Sequence, residues 1–195
     1  MKIALLGKKG GTGKSSLCIL LHEALRQTGQ TVAVRDYDAQ GTATKALERF
    51  GGTRAKDGQA YDQLLIDTPP SLTFKAAEAP AAIAAAAARE ANVILIPTSP
   101  SPADIWEADE TARFARSRNP KAQVRIVLNR VKAGTLLSGA VEESLRDTTE
   151  PVLPVSLADR QSYQHALLKG WAALDPKAVT EVLQFTVAVT SLIRL

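Results

Sequence analysis

The chain is poor in several features that would point to other classes of protein. It has one cysteine, Cys18, so no disulfide can form within the chain, which favours a reducing compartment such as the cytosol. No apolar run reaches ~18 residues, so no transmembrane helix is expected. Met1 leads directly into an apolar strand pattern, so no signal peptide is expected either. These shortages leave a cytoplasmic globular protein as the expected class.

The charge balance is only slightly basic. Lys and Arg number 24 against 20 Asp and Glu, which gives a net charge of +4. This excess mildly favours an acidic partner such as nucleic acid. With 195 residues, of which 45% are hydrophobic, the chain can bury a sizeable core, and we expect one domain spanning residues 1–195.

Apolar runs alternate with helical patterns along the chain. This alternation predicts an α/β fold with a mainly parallel, twisted sheet flanked by helices in three layers. The expected strands cover residues 2–6, 31–35, 61–66, 92–96 and 124–128, with a short sixth at 152–155. The expected helices cover 42–50, 76–88 and 176–193, and two more start after residue 13 and near Pro102.

The sequence G-K-K-G-G-T-G-K-S-S, residues 7–16, lies between the first strand and the first helix. Its glycines, Gly10, Gly11 and Gly13, allow backbone N–H groups to curl around phosphate oxygens. The helix that begins near Lys14 points its unpaired N–H groups at the same phosphates. Lys14 is expected to reach the β- and γ-phosphates, and the Ser15 hydroxyl to bind Mg²⁺. The sequence therefore predicts a phosphate-binding loop.

One position departs from the general pattern G-x-x-x-x-G-K-[ST], because Lys8 stands where that pattern has its first glycine. The segment K-G-G-T-G-K-S, residues 9–15, instead resembles the deviant Walker A box of the ParA/MinD family of P-loop ATPases. In that family the first lysine, here Lys9, crosses a dimer interface to the partner's nucleotide. Lys8 is expected to face solvent. The loop residues expected to contact nucleotide are Lys9, Gly10, Gly11, Thr12, Gly13, Lys14, Ser15 and Ser16.

Acidic residues end the second and third strands. D-Y-D-A-Q-G, residues 36–41, follows the second strand, and L-L-I-D-T-P-P, residues 64–70, carries Asp67 at the end of the third. Ligands bind open α/β sheets at such strand ends. Both segments resemble ParA sequences, which implies that Asp38 orients the attacking water and that Asp36 and Asp67 hold Mg²⁺. The alternative for Asp67 is a carboxylate that only caps a turn.

Two later segments also resemble this family. The Pro-rich stretch at 96–106 is similar to a segment of short, ParF-like partition ATPases, which implies a dimer contact; a plain rigid loop is the alternative. Asn129, at the end of the fifth strand, can both donate to and accept from an adenine edge, and relatives use the matching Asn for base contacts. Asn129 and Arg130 are therefore expected to bind nucleotide, although an ordinary turn Asn would look the same.

Residues 111–134 contain seven Lys and Arg and no Asp or Glu. Such a patch could hold DNA phosphates without reading sequence, or it could be a solvated helix face. The family resemblance favours DNA. It also implies a DNA contact at Arg160. The candidate DNA-binding residues are Arg113, Arg116, Lys121 and Arg160.

Taken over nearly the whole chain, the resemblance implies a small ParA-type ATPase without an N-terminal helix-turn-helix domain. Such a protein dimerises on ATP, coats DNA of the nucleoid nonspecifically and is stimulated by a ParB-like or cargo adaptor protein, with Lys9, Lys14 and Asp38 as the catalytic residues. Plasmid or chromosome partition is the expected process, with no membrane binding. One alternative is the positioning of a protein cargo, such as a carboxysome or chemoreceptor cluster. The other is a nucleotide switch with negligible turnover.

Overall fold

One parallel sheet of five strands organises the chain. The strands are β1 (Lys2–Leu5), β2 (Val32–Asp36), β3 (Gln63–Asp67), β4 (Val93–Thr98) and β5 (Gln123–Leu128). Their order across the sheet is β2-β3-β1-β4-β5, and every pairing is parallel. The computed structural model describes residues 1–71, 79–132 and 137–193. The mainly parallel sheet expected from the sequence is confirmed.

The central strand β1 shows why both faces of the sheet are covered. Ile3 and Leu5 belong to one buried cluster, whereas Ala4 and Leu6 belong to the other. Successive residues of a strand point to opposite faces, so a strand that is apolar throughout needs helices on both sides. The three-layer arrangement follows directly from this run of residues.

The helices divide between the two faces of the sheet. On one face lie α1 (Lys14–Arg26), α2 (Thr42–Phe50), α6 (Gln161–Lys169) and α7 (Pro176–Ser191), and on the other lie α3 (Ala79–Glu90) and α4 (Pro102–Arg118). The helix α5 (Gly139–Arg146) packs against α4, and a short 3-10 helix covers Gly170–Ala173. Among the described helices, none combines the length and apolarity that a membrane span requires.

The order of the strands also decides where a ligand can bind. The chain places β2 and β3 on one side of β1, and β4 and β5 on the other. Where strand order reverses in a parallel sheet, the connections leave a crevice at the carboxyl ends of the strands. Here that crevice lies beyond the end of β1, where the glycine-rich loop begins.

The sixth strand expected at 152–155 is wrong. Val152 forms only an isolated bridge with Ile126, and Leu153 donates a backbone hydrogen bond to Ile126. Pro151 and Pro154 flank these residues, and a proline has no N–H to continue a ladder. The segment therefore touches the edge strand β5 without extending the sheet.

Other boundaries shift by a few residues. The helix expected at 42–50 is confirmed, and the one expected near Pro102 begins there. The expected alanine-rich helix is observed from Ala79, while 76–78 lie outside the described residues. The last helix ends at Ser191, and the side chain of Asp175, its N-cap, accepts a hydrogen bond from the Ala178 N–H. The helices α5 and α6 were not expected from the sequence.

Candidate functional site

The glycine-rich loop makes a sharp turn between β1 and α1. Gly11 and Gly13 have φ angles of 79° and 99°, in the left-handed region that residues with a Cβ rarely adopt. Gly13 is the N-cap of α1, which begins at Lys14. The first N–H groups of a helix lack partners within the helix and carry the positive end of its dipole. Loop and helix together therefore form a site suited to an anion.

An open cavity of about 270 Å³ lies against this loop. It brings together the loop, the segment after β2, the end of β3 and the turn after β5, which are far apart in the sequence. The cavity is lined by Gly10, Gly11, Gly13, Lys14, Ser15, Ser16, Asp38, Gln40, Thr42, Pro70 and Arg130. Three of the segments singled out in the sequence thus share one cavity with Arg130.

Lys14 is the cation of this cavity. Only 6% of the residue is exposed, and its Nζ donates a hydrogen bond of 3.0 Å to the carbonyl oxygen of Lys9. Burial lowers the pKa of Lys14, although the charges of Asp67 and Asp38 act in the opposite direction. An ammonium has three donors, so the bond to Lys9 leaves capacity for phosphate oxygens.

Asp67 ends β3 beside the loop and is completely buried. Its neighbours in the sheet are Leu5 of β1 and Asp36 of β2. Within the described residues neither carboxylate oxygen has a hydrogen-bond partner of good geometry. Burial is the main reason why the pKa of Asp67 rises to about 7, while the nearby Ser15 hydroxyl lowers it and Asp36 raises it. A buried carboxylate without partners is costly, and a cation beside it would remove that cost.

These residues fit Mg²⁺ in particular. The described residues contain no cluster of three or more His, Cys, Asp or Glu side chains that could bind a metal by themselves. Mg²⁺ is usually held by one or two protein oxygens together with waters and substrate phosphates. Asp67 and Ser15, beside a phosphate-binding loop, form such a donor set.

The segment after β2 is shaped by its own carboxylates. Asp36 accepts hydrogen bonds from the backbone N–H groups of Asp38, at 3.0 Å, and Thr44, at 2.8 Å. Asp38 accepts one from the N–H of Gln40 at 2.9 Å. Both oxygens of Asp36 therefore hold the turn in shape, which leaves Asp38 as the carboxylate of this segment that lines the cavity. The Mg²⁺ role expected for Asp36 stays a prediction.

Lys9 points away from the cavity that Lys14 lines. Its Nζ lies 3.0 Å from Asp104 and 3.2 Å from Glu107, both on α4. The hydrogen bond with Asp104 is the main reason why the pKa of Lys9 is raised, and the hydrogen bond with Glu107 raises it further. Lys8 was expected to face solvent, but its side chain is only 20% exposed and pairs with Glu110 at 2.6 Å. No pattern in the sequence indicated that an acidic row on α4, formed by Asp104, Glu107 and Glu110, pairs with both lysines.

Asn129 lies beside the glycine-rich loop, and only 6% of it is exposed. Its Nδ2 donates a hydrogen bond of 2.9 Å to the carbonyl oxygen of Thr12. A Cβ at Gly13 would overlap this amide nitrogen. Arg130, which follows, has a φ of 59°, unusual for a residue other than glycine. The contact expected between Asn129 and adenine stays a prediction.

The candidate DNA-binding residues on and after α4 are mostly engaged within the protein. Arg113 forms an ion pair with Asp109, although its side chain is 63% exposed. Arg116 forms two hydrogen bonds with Glu150, of 2.6 and 2.8 Å, which raise the pKa of the guanidinium. Among the described residues, no carboxylate lies within ion-pair distance of Lys121. The spacing of four residues between Asp109 and Arg113 could have revealed that pair, whereas Glu150 gives no local signal.

Arg160 is also held by an acidic partner. Its Nε lies 3.2 Å from Glu181 of α7. The same carboxylate accepts hydrogen bonds from the backbone N–H of Ala158 and from the Tyr163 hydroxyl. Burial and the contact with Glu181 raise the pKa of Tyr163. Arg160 therefore fastens the segment before α6 to α7, and its expected contact with DNA stays a prediction.

Comparison with known families agrees with this geometry. The family model described as CbiA, the CobQ/CobB/MinD/ParA nucleotide binding domain, matches residues 3–170. The chain belongs to this family. The matched range contains the glycine-rich loop, the acidic strand ends and Asn129. The membership expected from the deviant loop is therefore confirmed.

Individual members of the CobQ/CobB/MinD/ParA family are similar to most of the chain. It is 28% identical over 191 residues to the maintenance of carboxysome distribution protein A of Halothiobacillus neapolitanus, a match that covers 86% of this chain and 84% of that protein. The septum site-determining protein MinD of Pyrococcus horikoshii, solved with Mg-ADP, superposes with a TM-score of 0.74 at 17% identity, over 98% of this chain and 96% of that one.

A plasmid partition protein of Borrelia burgdorferi, itself described as putative and solved with AMPPNP, superposes with a TM-score of 0.71 at 14% identity, over 98% of this chain and 99% of that one. These superpositions confirm the three-layer α/β fold. Two structures that share the fold of this chain therefore contain an adenine nucleotide or its analogue, and one of them also contains Mg²⁺.

Proposed function

We propose that this chain is an ATPase that dimerises on ATP and moves or positions a cargo on DNA. The observation that carries the proposal is that two lysines of one loop have side chains in different places. Lys14 lines the cavity at the start of α1, whereas Lys9 turns outward to α4. A single-subunit nucleotide site needs only the first cation. The second is available to a partner subunit.

Within one subunit, ATP would bind through the loop N–H groups, Lys14 and Ser15. Asp67 and Ser15 would hold Mg²⁺, which would neutralise charge on the phosphates when bound. Asp38 lies in the wall of the cavity, where its carboxylate can accept a hydrogen bond from a water. Orienting that water and compensating the phosphate charge are sufficient for phosphoryl transfer to water, yielding ADP and phosphate.

Dimerisation would require Lys9 to leave its partners on α4. Its ion pairs with Asp104 and Glu107 are half-exposed, so they are weak enough to be exchanged for the phosphates of a partner's ATP. The exchange would link the two subunits only when ATP is bound. The dimer would then present twice the basic surface to DNA.

Plasmid or chromosome partition is the first cargo we propose, with a ParB-like protein as the stimulating partner. Nonspecific DNA binding would place the ATP-bound dimer on the nucleoid. The similarity to carboxysome distribution proteins supports a second cargo, a protein assembly recruited through an adaptor. The nucleotide site would serve both, so the cargo must be tested in the cell.

A phosphate-release assay tests the ATPase. We expect slow release by the wild type that rises with DNA and the partner, and much slower release by Asp38→Ala at equal ATP occupancy, because Asp38 acts on water rather than on bound nucleotide. Release that stays negligible under every condition would favour the nucleotide switch. Wild-type turnover in Asp38→Ala would remove Asp38 from the mechanism.

A deletion strain tests the cargo. In the native host, loss of a plasmid or chromosome from daughter cells would support partition. Normal inheritance together with clustered or misplaced protein assemblies would support the second cargo. If the strain shows neither defect while a fluorescent fusion covers the nucleoid, both cargoes are wrong.

A further inference from the structure

Asn129 joins the end of β5 to the glycine-rich loop. Its Nδ2 donates to the Thr12 carbonyl oxygen at 2.9 Å, across 117 positions of sequence. Asn129 is buried and Thr12 is half-buried, so this hydrogen bond is partly shielded from water. Leaving a shielded carbonyl without its partner costs more than the net gain from an average hydrogen bond. The loop thus depends on this amide.

The backbone around Asn129 is fixed, so the amide has little freedom to turn elsewhere. The Asn129 N–H donates to the Thr98 carbonyl at 2.8 Å, and the Val131 N–H donates to Leu157 at 3.0 Å. Between them Arg130 adopts its positive φ of 59°. A bulky residue holds such a conformation only where its surroundings enforce it. The turn therefore presents the Asn129 side chain to the loop in one direction.

The loop is built to receive this side chain. Gly13 has no Cβ, and a Cβ there would occupy the position of the Asn129 amide nitrogen. The peptide between Thr12 and Gly13 is trans, so its C=O and N–H point in opposite directions. A hydrogen bond that fixes the Thr12 oxygen toward Asn129 also fixes the Gly13 N–H away from it. Gly13 is part of the cavity wall.

We propose that Asn129 is a positioning residue that sets the shape of the phosphate-binding loop through Thr12, independently of the nucleotide base. The loop would then be preorganised in the free protein. This proposal rests on the proposed function only for its consequence on ATP binding. The rival role, direct reading of adenine, predicts no effect on the free protein.

Amide hydrogen exchange of the nucleotide-free protein distinguishes the two roles. In Asn129→Ala and in the nearly isosteric Asn129→Asp, which lacks the donor, we expect exchange over residues 9–15 to be between about twofold and about tenfold faster than in the wild type. Strands β1 and β4 should keep wild-type exchange, because a positioning role is local. ATP affinity should fall by a similar factor.

Asn119→Ala is the matched control. Asn119 likewise donates from its side chain to backbone carbonyls, those of Ala88 and Ala91, at the other end of α4, so its loss should leave the exchange of residues 9–15 unchanged. Wild-type loop exchange in both Asn129 variants would overturn the proposal, and weakened ATP binding alongside it would assign Asn129 to the base. Failure of the wild type to bind ATP would overturn the proposed function without affecting the exchange comparison.

Discussion

The ammonium of Lys14 is buried, and burial disfavours its charged form. This favours binding of a negatively charged group at the loop. Burial lowers the pKa of Lys14, and its only backbone acceptor among the described residues is the Lys9 carbonyl. A phosphate group would supply the full negative charge that a carbonyl dipole lacks. Binding energy at this position therefore comes from relief of a buried cation as well as from new hydrogen bonds.

We predict that Lys14→Ala abolishes useful ATP affinity. Hydrogen bonds to charged groups contribute about 1.5–3 kcal/mol each, so the loss should be at least about tenfold. Isothermal titration calorimetry with ATP measures it, and Lys177→Ala, at the exposed start of α7, is the control. An affinity within about threefold of wild type, below ~1 kcal/mol, would show that the loop is not the phosphate site.

At the scale of elements, α4 restrains the loop. Its acidic row meets both lysines: Asp104 and Glu107 hold Lys9, and Glu110 holds Lys8. Burial alone would raise the pKa of Asp104, but hydrogen bonds from Lys9 and Ser101 outweigh it and lower that pKa. The carboxylate is therefore ionised at neutral pH and competes with any other anion for Lys9.

We predict that this competition sets the ATP requirement for dimerisation. Lys9→Ala should keep much of the monomer's nucleotide affinity yet fail to dimerise, because the trans contact is lost. Asp104→Asn combined with Glu107→Gln should dimerise at lower ATP concentration, because Lys9 is released. Light scattering with a nonhydrolysable ATP analogue measures both.

Lys8→Ala is the matched control for this experiment. Lys8 adjoins Lys9, and its pair with Glu110, whose side chain is 59% exposed, is of a kind worth about 0–1 kcal/mol. Its removal should change dimerisation little. Wild-type dimerisation by Lys9→Ala, or its loss in Lys8→Ala, would mean that the trans-acting lysine is wrongly assigned.

Another element, α7, is fastened through Glu181. Burial would raise the pKa of Glu181, but hydrogen bonds from Arg160, Tyr163 and Ala158 together lower it. A carboxylate with a lowered folded-state pKa stabilises the protein above its unfolded-state pKa, and this contribution is lost as pH falls through the folded-state value.

We predict that Glu181→Gln lowers the free energy of unfolding by about 1–3 kcal/mol at pH 7. The difference from wild type should shrink as pH falls below the ordinary glutamate range, because the wild-type carboxylate is then protonated as well. Urea unfolding at several pH values measures it, with the exposed Glu143→Gln as control. A difference that is constant with pH would mean that the negative charge of Glu181 contributes nothing.

The sequence predicted local parts of the site well and long-range parts poorly. The glycine-rich loop and the Asp67 strand end are contiguous patterns whose chemistry depends on neighbouring residues, and the structure places them together. The partners of Lys9 and Arg160 come from α4 and α7, far along the chain, and no local pattern marks them. The absent sixth strand had a local signal in its two prolines, which the apolar residues between them obscured.

At the scale of the whole molecule, most of the candidate DNA-binding cations are already paired within the protein. Arg113, Arg116 and Arg160 each form an ion pair. Lys121 is the candidate for which no carboxylate lies within ion-pair distance among the described residues. Strong binding to DNA through these four residues would require more than one copy of the surface.

We predict that DNA binding depends on ATP and falls steeply with salt. Each phosphate contact releases counterions, so doubling the contacts by dimerisation steepens the dependence on salt. Mobility shifts with ATP and with ADP, on two unrelated DNA sequences, measure it. Lys121→Ala should weaken binding on both sequences more than Arg116→Ala does. Binding to one sequence alone, or equal binding with both nucleotides, would contradict nonspecific ATP-dependent binding.

The backbone and the side chain of Lys9 have separate roles, and this has a genetic consequence. Its carbonyl accepts a hydrogen bond from Lys14 of its own subunit, which any amino acid at this position would do, while its ammonium, paired with Asp104 in the monomer, is the group that we propose to serve a neighbour. A Lys9→Ala chain could still receive the Lys9 ammonium of a wild-type partner at its own ATP. It would supply no such ammonium to the partner's ATP. Mixed pairs would hold one complete and one incomplete site, so the allele should be partially dominant. A Lys14→Ala chain, unable to bind ATP and enter a pair, should be recessive.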